Sequence, residues 1–255
     1  MAEWNDPRTT GVNTATVGVP RAARDAGLRS YMLSVYNYMA SGVLLTGIVA
    51  LLFAKSPLFG AAFHVVETAQ GTAIQPNLLG WVITFAPLLV VMAMSFGGRR
   101  MQASTVQALF WGFAVLMGLS LSTILFAYTG VSIAQTFFAT AAAYLGLSLY
   151  GYTTKRDLSG WGTFLIMGVW GLFAAILINM FFVRSAGLDL AISAIGVLIF
   201  AGLTAYDTQK IKSMYFVVAG HGEAMAKTAI FGALNLYLDF INMFLFMLRF
   251  MGDRR

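Results

Sequence analysis

From Met101 to Thr154 the chain carries no Asp, Glu, Lys or Arg. That is far more than the ~20 apolar residues with which a helix crosses a bilayer once. The stretch is therefore predicted to be a helical hairpin with two spans, Val106–Tyr128 and Ser132–Tyr150, turning at Thr129-Gly130-Val131. Inside a bilayer every backbone N–H and C=O must be satisfied within the protein, so a span is a helix or a strand of a closed barrel. Nothing here alternates as barrel strands do, and the spans are read as helices.

Five further apolar segments of similar length complete a set of seven: Tyr31–Phe53, Leu78–Phe96, Trp161–Phe182, Leu188–Gln209 and Thr228–Phe250. The 255-residue composition agrees, at 59% hydrophobic and 10% charged, against about 25% charged in a soluble domain. The fold class is an all-α integral membrane protein of seven transmembrane helices. Residues 1–30 are read as a flexible cytoplasmic tail, 31–250 as the transmembrane domain and 251–255 as a short C-terminal tail. No cysteine occurs, which excludes disulfides, thiolate metal sites and cysteine nucleophiles.

The net charge of +6 would suggest nucleic acid in a soluble protein. Here the basic residues lie between apolar runs and act as topology determinants instead, so no nucleic-acid partner is expected; the bilayer is the partner. Eleven of the sixteen, among them Arg29, Arg100, Lys155, Lys210 and Lys227, fall on the side of the amino terminus. That bias predicts a cytoplasmic amino terminus and an outside carboxyl terminus. The basic residues Arg249, Arg254 and Arg255 dissent, and a re-entrant Ser213–Ala226 connection would put both ends inside. Within the spans, Pro87 is expected to kink the second, and Ala139, Ala143 and Gly146 form a small-residue stripe suited to close helix packing on the fourth.

Asp239 is the one charge deep in the last span. An acid at that depth costs roughly 3 kcal/mol on insertion scales, and intramembrane acids are functional by default. Asn235 lies four residues before it and Asn242 three after, so helical spacing puts all three on one face. A polar stripe of that kind facing lipid would be expensive, and the seventh helix is expected to be central. Asp207 lies about two turns inside Lys212 on the sixth span, either as a second functional acid or as an interfacial acid paired with Lys210 at i+3. Arg100, with Arg99 beside it, ends the second span; it would join the site only if a guanidinium turned inward to Asp207. His64 and His221 stand alone, without metal-ligand spacing. No hydrolase, zinc-protease or phosphate-loop motif is present, and the seventh span has no interior lysine for a retinal Schiff base.

Tyr206-Asp207-Thr-Gln-Lys-Ile-Lys212 and Leu236-Tyr-Leu-Asp239-Phe-Ile-Asn242 closely resemble the bacterial branch of the transmembrane Bax inhibitor motif (Bax inhibitor-1) family. Gly118-Leu-Ser-Leu-Ser-Thr123 and Tyr150-Gly-Tyr-Thr-Thr-Lys-Arg-Asp-Leu-Ser-Gly160 add to the match, which covers the chain after its tail. The resemblance implies seven helices with the last at the centre of paired outer helices, in a bacterial inner membrane. It also implies a pH-sensitive calcium leak governed by two aspartates, here Asp207 and Asp239, and a gating arginine, with Arg100 favoured over Arg99. The connection between the sixth and seventh spans, including Gly220-His-Gly-Glu223, looks longer than in compact members of the family.

The residues permit that chemistry. Two carboxylates a few ångströms apart in a low-dielectric setting do not both ionise easily, so they share a proton and titrate as a unit. A proton would join them and close the path; its loss would make them repel and leave an oxygen site for a hard cation, while Arg100 bound to Asp207 would compete with the ion. Calcium takes 6–8 oxygen ligands, so Asp207 and Asp239, even helped by Asn235 or Asn242, would form a weak site suited to a permeant ion. No tightly bound cofactor and no enzymatic activity are expected. A second reading is a regulator or partner of a membrane-bound protease acting by contact, with the tail as the engaged segment. Proton-coupled transport of an organic solute is a third.

Overall fold

The computed structural model describes residues 21–68, 71–98 and 100–254. Among them, seven helical segments are long and apolar enough to cross a membrane. They are α1 (Arg21–Lys55), α3 (Leu78–Gly97), α4 (Ala103–Leu121) continued by the short α5 (Ile124–Ala127), α6 (Gly130–Thr153), α7 (Ser159–Ile178), α8 (Ala186–Val218) and α9 (Gly222–Met251). The five-residue α2 (Leu58–Ala62) and an antiparallel hairpin, β1 (Phe63–Thr68) with β2 (Gly71–Pro76), fill the connection between α1 and α3.

The spans lie where hydropathy puts them, but the helices run past them. α1 already begins at Arg21, so residues 21–30 are helical rather than tail; the tail expected over residues 1–20 lies outside the described residues. α8 continues past Gln209 to Val218, and α9 starts at Gly222. The Ser213–Ala226 segment is therefore two helix ends and a tight turn at Gly220, whose φ of +88° suits glycine. A re-entrant segment is ruled out there, and the two ends of the bundle's helices lie on opposite faces. Helix hydrogen bonding, unlike hydropathy, does not stop at the bilayer surface.

α9 is the central helix. In its most apolar window 61% of the residues are buried inside the protein, against 6% for α7 and no more than 28% for any other span. It packs against α8, α1, α6 and α4, whereas α7 lies against α8 and turns Trp161, Phe164, Met167 and Trp170 outward. Those outward faces are what lipid covers. α7 ends in a π-helical turn, Asn179–Val183, closed by Arg184 at φ 53° and by the Asn179 side chain, which accepts from the Ser185 N–H at 2.9 Å.

The centre is tied by hydroxyls as well as by packing. The Tyr237 hydroxyl on α9 lies 2.7 Å from Thr46 Oγ1 on α1, which donates to the Ala114 carbonyl on α4 at 2.8 Å. Tyr237→Phe is expected to lower stability by about 1 kcal/mol, read as a fall in the thermal midpoint of the detergent-solubilised protein.

Two packing expectations fare differently. α3 runs unbroken through Pro87, and Pro87 and Ile83, whose carbonyl it cannot serve, are both buried against protein. The Ala139-Ala143-Gly146 stripe is not an interface: Ala143 and Gly146 are exposed, and a Cβ on Gly146 would meet nothing within 4 Å. α6 instead buries Ser132, Thr136, Thr140, Tyr144, Ser148 and Gly151. Hydroxyls that bond back to their own helix, as Thr140 does to the Thr136 carbonyl at 2.8 Å, behave as small residues and compete with alanine for the close face.

The last residues are pinned at the face opposite the α1 start. Thr129 donates its N–H to the Asp253 carbonyl at 3.1 Å, and Asp253 N–H donates to Ser132 Oγ at 2.9 Å. Arg249 and Arg254 reach Asp189, at the start of α8, at 3.7 and 3.6 Å. These partly exposed pairs are each worth about 1 kcal/mol or less. Asp189→Asn is expected to loosen the tail without unfolding the bundle, seen as faster hydrogen exchange confined to residues 249–254.

Candidate functional site: a buried aspartate pair

α8 and α9 form an antiparallel pair joined by the Ala219–His221 turn. Small residues hold them close. A Cβ on Gly232 would meet Ile211 at 3.2 Å, and one on Gly196 would lie 2.6 Å from the Phe246 ring. This approach brings Asp207 of α8 and Asp239 of α9 together, close enough for each carboxyl to act on the other. Asp239 is 5% exposed, and its Oδ2 has no hydrogen-bond partner among the described residues. Asp207 is half-buried, so the pair has an inner and an outer member.

The surroundings come from three helices. Tyr144 of α6 stands beside the pair and Tyr36 of α1 beside Tyr144, and the Tyr144 hydroxyl points to the Leu236 carbonyl at 3.4 Å. Tyr36 Oη and Ser148 Oγ lie 2.5 Å apart, and Ser148 Oγ lies 3.1 Å from Thr208 Oγ1, next in sequence to Asp207. Lys210 is the cation acting on both carboxyls. It forms no ion pair with Asp207 and sits 5.8 Å over the Tyr206 ring, so the interfacial Asp207–Lys210 pair is not what the structure contains.

The rest of the α8 motif has its own work. Gln209 Oε1 accepts from the Leu158 N–H and Gln209 Nε2 donates to the Arg156 carbonyl, both at 2.8 Å, clamping the α6–α7 connection onto α8. Lys212 Nζ donates to the Tyr152 carbonyl at 2.6 Å, in the last turn of α6 where a cation is favoured. Ser159, through its side chain and through its N–H at 2.9 Å, holds the Asp157 carboxyl in the same connection below the usual carboxylate range. Gln209→Leu is expected to release the α6–α7 connection while leaving the aspartate pair in place; limited proteolysis at Lys155 or Arg156 would rise several-fold.

The polar stripe of α9 divides on inspection. Only Asp239 is fully buried. Asn235 is half-buried one turn toward the start of α9, and Asn242 returns its Nδ2 to the Leu238 carbonyl at 2.8 Å. Arg100 is not brought to the pair: it is exposed in the α3–α4 turn, its N–H on the Gly97 carbonyl, with no ion pair to Asp207. The cation that ties that corner to α9 is Lys227, which donates to the Met101 carbonyl at 3.2 Å and lies 3.7 Å from Glu223. The side chain of Arg99 lies outside the described residues. Among the described residues no group of three or more His, Cys, Asp or Glu could hold a metal ion, so the carboxyl pair is the only acidic element of this centre. Sequence reading missed Tyr36, Tyr144 and Ser148. For Tyr144 and Ser148 the signal was the hydroxyl repeating every fourth residue along α6, from Ser132 to Ser148; Tyr36, on α1, had none.

A seven-helix bundle around a buried acid pair defines a multi-pass helical membrane protein with an ionisable centre. The chain belongs to the Bax inhibitor-1 family: the family model described as inhibitor of apoptosis-promoting Bax1 matches residues 28–255. Relatives are similar over nearly their whole length. An uncharacterized protein of Rickettsia prowazekii is 47% identical, covering 91% of this chain and 92% of its own. One of Caulobacter vibrioides is 45% identical over 91% of each chain. The inner membrane protein YbhL of Escherichia coli is 44% identical, covering 90% of this chain and 94% of its own.

Proposed function

We propose that the protein is a pH-sensitive cation leak of a bacterial inner membrane, with calcium as its principal ion and the Asp207–Asp239 pair as its gate. The observation that carries this reading is the meeting of the two carboxyls between α8 and the central α9, with one oxygen of Asp239 left unpartnered. A buried polar atom without a partner is costly, and a fully apolar interface would pack these helices as well. With one proton shared, the carboxyls hold α8 to α9 and the path is closed. When the proton leaves, two negative charges repel across the same interface and offer oxygens to a hard cation.

Lys210 from α8 and Tyr144 from α6 stand by the pair, and the Tyr36 and Ser148 hydroxyls reach it only through Thr208, next to Asp207. Two carboxylates alone bind calcium loosely, which suits conduction, since an ion that enters must also leave. Arg100 would take part only after the α3–α4 turn rearranges to bring its guanidinium inward, where it would compete with the ion for Asp207. The protein acts in this reading without catalysing a reaction, and its amino terminus faces the cytoplasm. Purified protein in calcium-free liposomes with an internal calcium dye is expected to give influx that grows as pH rises from acidic to neutral. Influx that is absent, or equal at every pH, would overturn the proposal.

A further inference from the structure

A groove of about 430 Å³ runs between α1 and α6 on the side of the bundle where α1 begins. Its walls are Leu33, Leu145 and Leu149, all more than half exposed, with Tyr152 near the mouth. Arg29 stands at the mouth, and no acidic residue lines the groove. Asp25, one turn earlier on α1, makes no ion pair with Arg29, nor does any other carboxylate among the described residues. Lys212 places a second positive charge 4.9 Å from the centre of the Tyr152 ring. Tyr36 lies seven residues beyond Arg29, about 10 Å deeper along the helix. It forms the floor with Ser148, their hydroxyls satisfied by each other.

We propose that this groove is a binding site for one anionic phospholipid of the adjoining leaflet, its phosphate at Arg29 and one acyl chain along Leu33, Leu145 and Leu149. The groove is continuous with the lipid-covered surface, so its occupant comes from the bilayer. The charge at the mouth selects among lipids: basic pockets between transmembrane helices are suited to anionic headgroups. The inner end is sealed, because the floor hydroxyls already bond one another, and an apolar chain loses no hydrogen bond by lying there. The site also has a route to the aspartate pair, since the Tyr36–Ser148 contact continues to Thr208 beside Asp207. Lipid binding here does not depend on ion passage, and its test does not involve flux.

The test uses the full chain in nanodiscs of mixed phosphatidylglycerol and phosphatidylcholine, with retained lipids counted by native mass spectrometry after transfer to detergent. The wild type is expected to keep one phosphatidylglycerol at least fivefold over phosphatidylcholine. Arg29→Gln should abolish that preference. Leu145→Trp, which fills the groove from an exposed position, should lose the bound lipid of either kind. It also separates this groove from the more polar crevice between α1 and α4 that Arg29 borders as well. Lys55→Gln, at the opposite face, should behave as wild type. Thermal midpoints close to wild type would show that the variants are folded. A wild type without headgroup preference, or a Leu145→Trp variant that keeps its phosphatidylglycerol, would overturn the proposal.

Discussion

Gly151→Ala is expected to destabilise the bundle severely, although it adds a single methyl group. A Cβ at that position would lie 2.3 Å from the Ala205 carbonyl oxygen and 3.0 Å from the Ala205 carbonyl carbon and Cα. These are backbone atoms of α8 and cannot swing aside, so α6 and α8 must separate. Their separation would strain the Ser148–Thr208 and Lys212–Tyr152 contacts that flank the crossing. Overpacking of a tight interface costs about 1–3 kcal/mol and occasionally more. With two helix contacts strained as well, we expect about 3 kcal/mol or greater, a large part of a typical stability of about 5–15 kcal/mol. The check is the thermal midpoint and monodisperse yield beside Gly146→Ala on the same helix. There the added Cβ meets nothing, and the change should be neutral or mildly favourable, since alanine is the better helix former.

Asp239→Asn and Asp207→Asn are expected to flatten the dependence of calcium flux on pH. An asparagine can still hydrogen-bond its neighbour but cannot acquire the charge that pushes α8 from α9. Two unit charges about 4 Å apart repel by about 4 kcal/mol at an effective dielectric near 20. A third of that, if delivered to the gate, changes the open population about tenfold. Each variant should therefore lose a rise in flux of roughly tenfold or more between acidic and neutral pH while keeping its fold. Asp239→Asn should be the better tolerated of the two, since it replaces a 5%-exposed acid whose Oδ2 lacks a partner.

Much of this architecture was legible because a bilayer leaves a chain few options. The charge-free stretch from Met101 to Thr154 could only be two spans, and the single deep charge at Asp239 pointed to a central α9. Helix ends were less legible. α8 runs to Val218 because nothing at Gln209 breaks a helix, while hydropathy stops where the charges Lys210 and Lys212 begin. The β1–β2 hairpin lies outside the spans, where hydropathy carries no signal, although Val65 and Val66 favour strand. On α6 the visible alanines misdirected the packing, because serine and threonine that bond to their own helix pack as closely as small apolar residues. Asp207 and Asp239 were named from their positions. Their neighbours on α6 show in the sequence only as a hydroxyl repeat and Tyr36 on α1 not at all, since contacts across 60 to 112 residues do not say what a repeat will face. Arg100 was placed by the family's motif, and its exposed position in the α3–α4 turn follows from tertiary packing that no motif carries.

If the aspartate pair turns proton binding into control of an ion path, its two carboxyls must set how flux depends on pH. The direct measurement is calcium influx into dye-loaded, calcium-free liposomes across pH, run in parallel for wild type, Asp207→Asn and Asp239→Asn at equal protein incorporation. Influx is expected to grow with pH in the wild type and to stay flat across pH in both variants. Normal, still pH-dependent flux in both variants would contradict it.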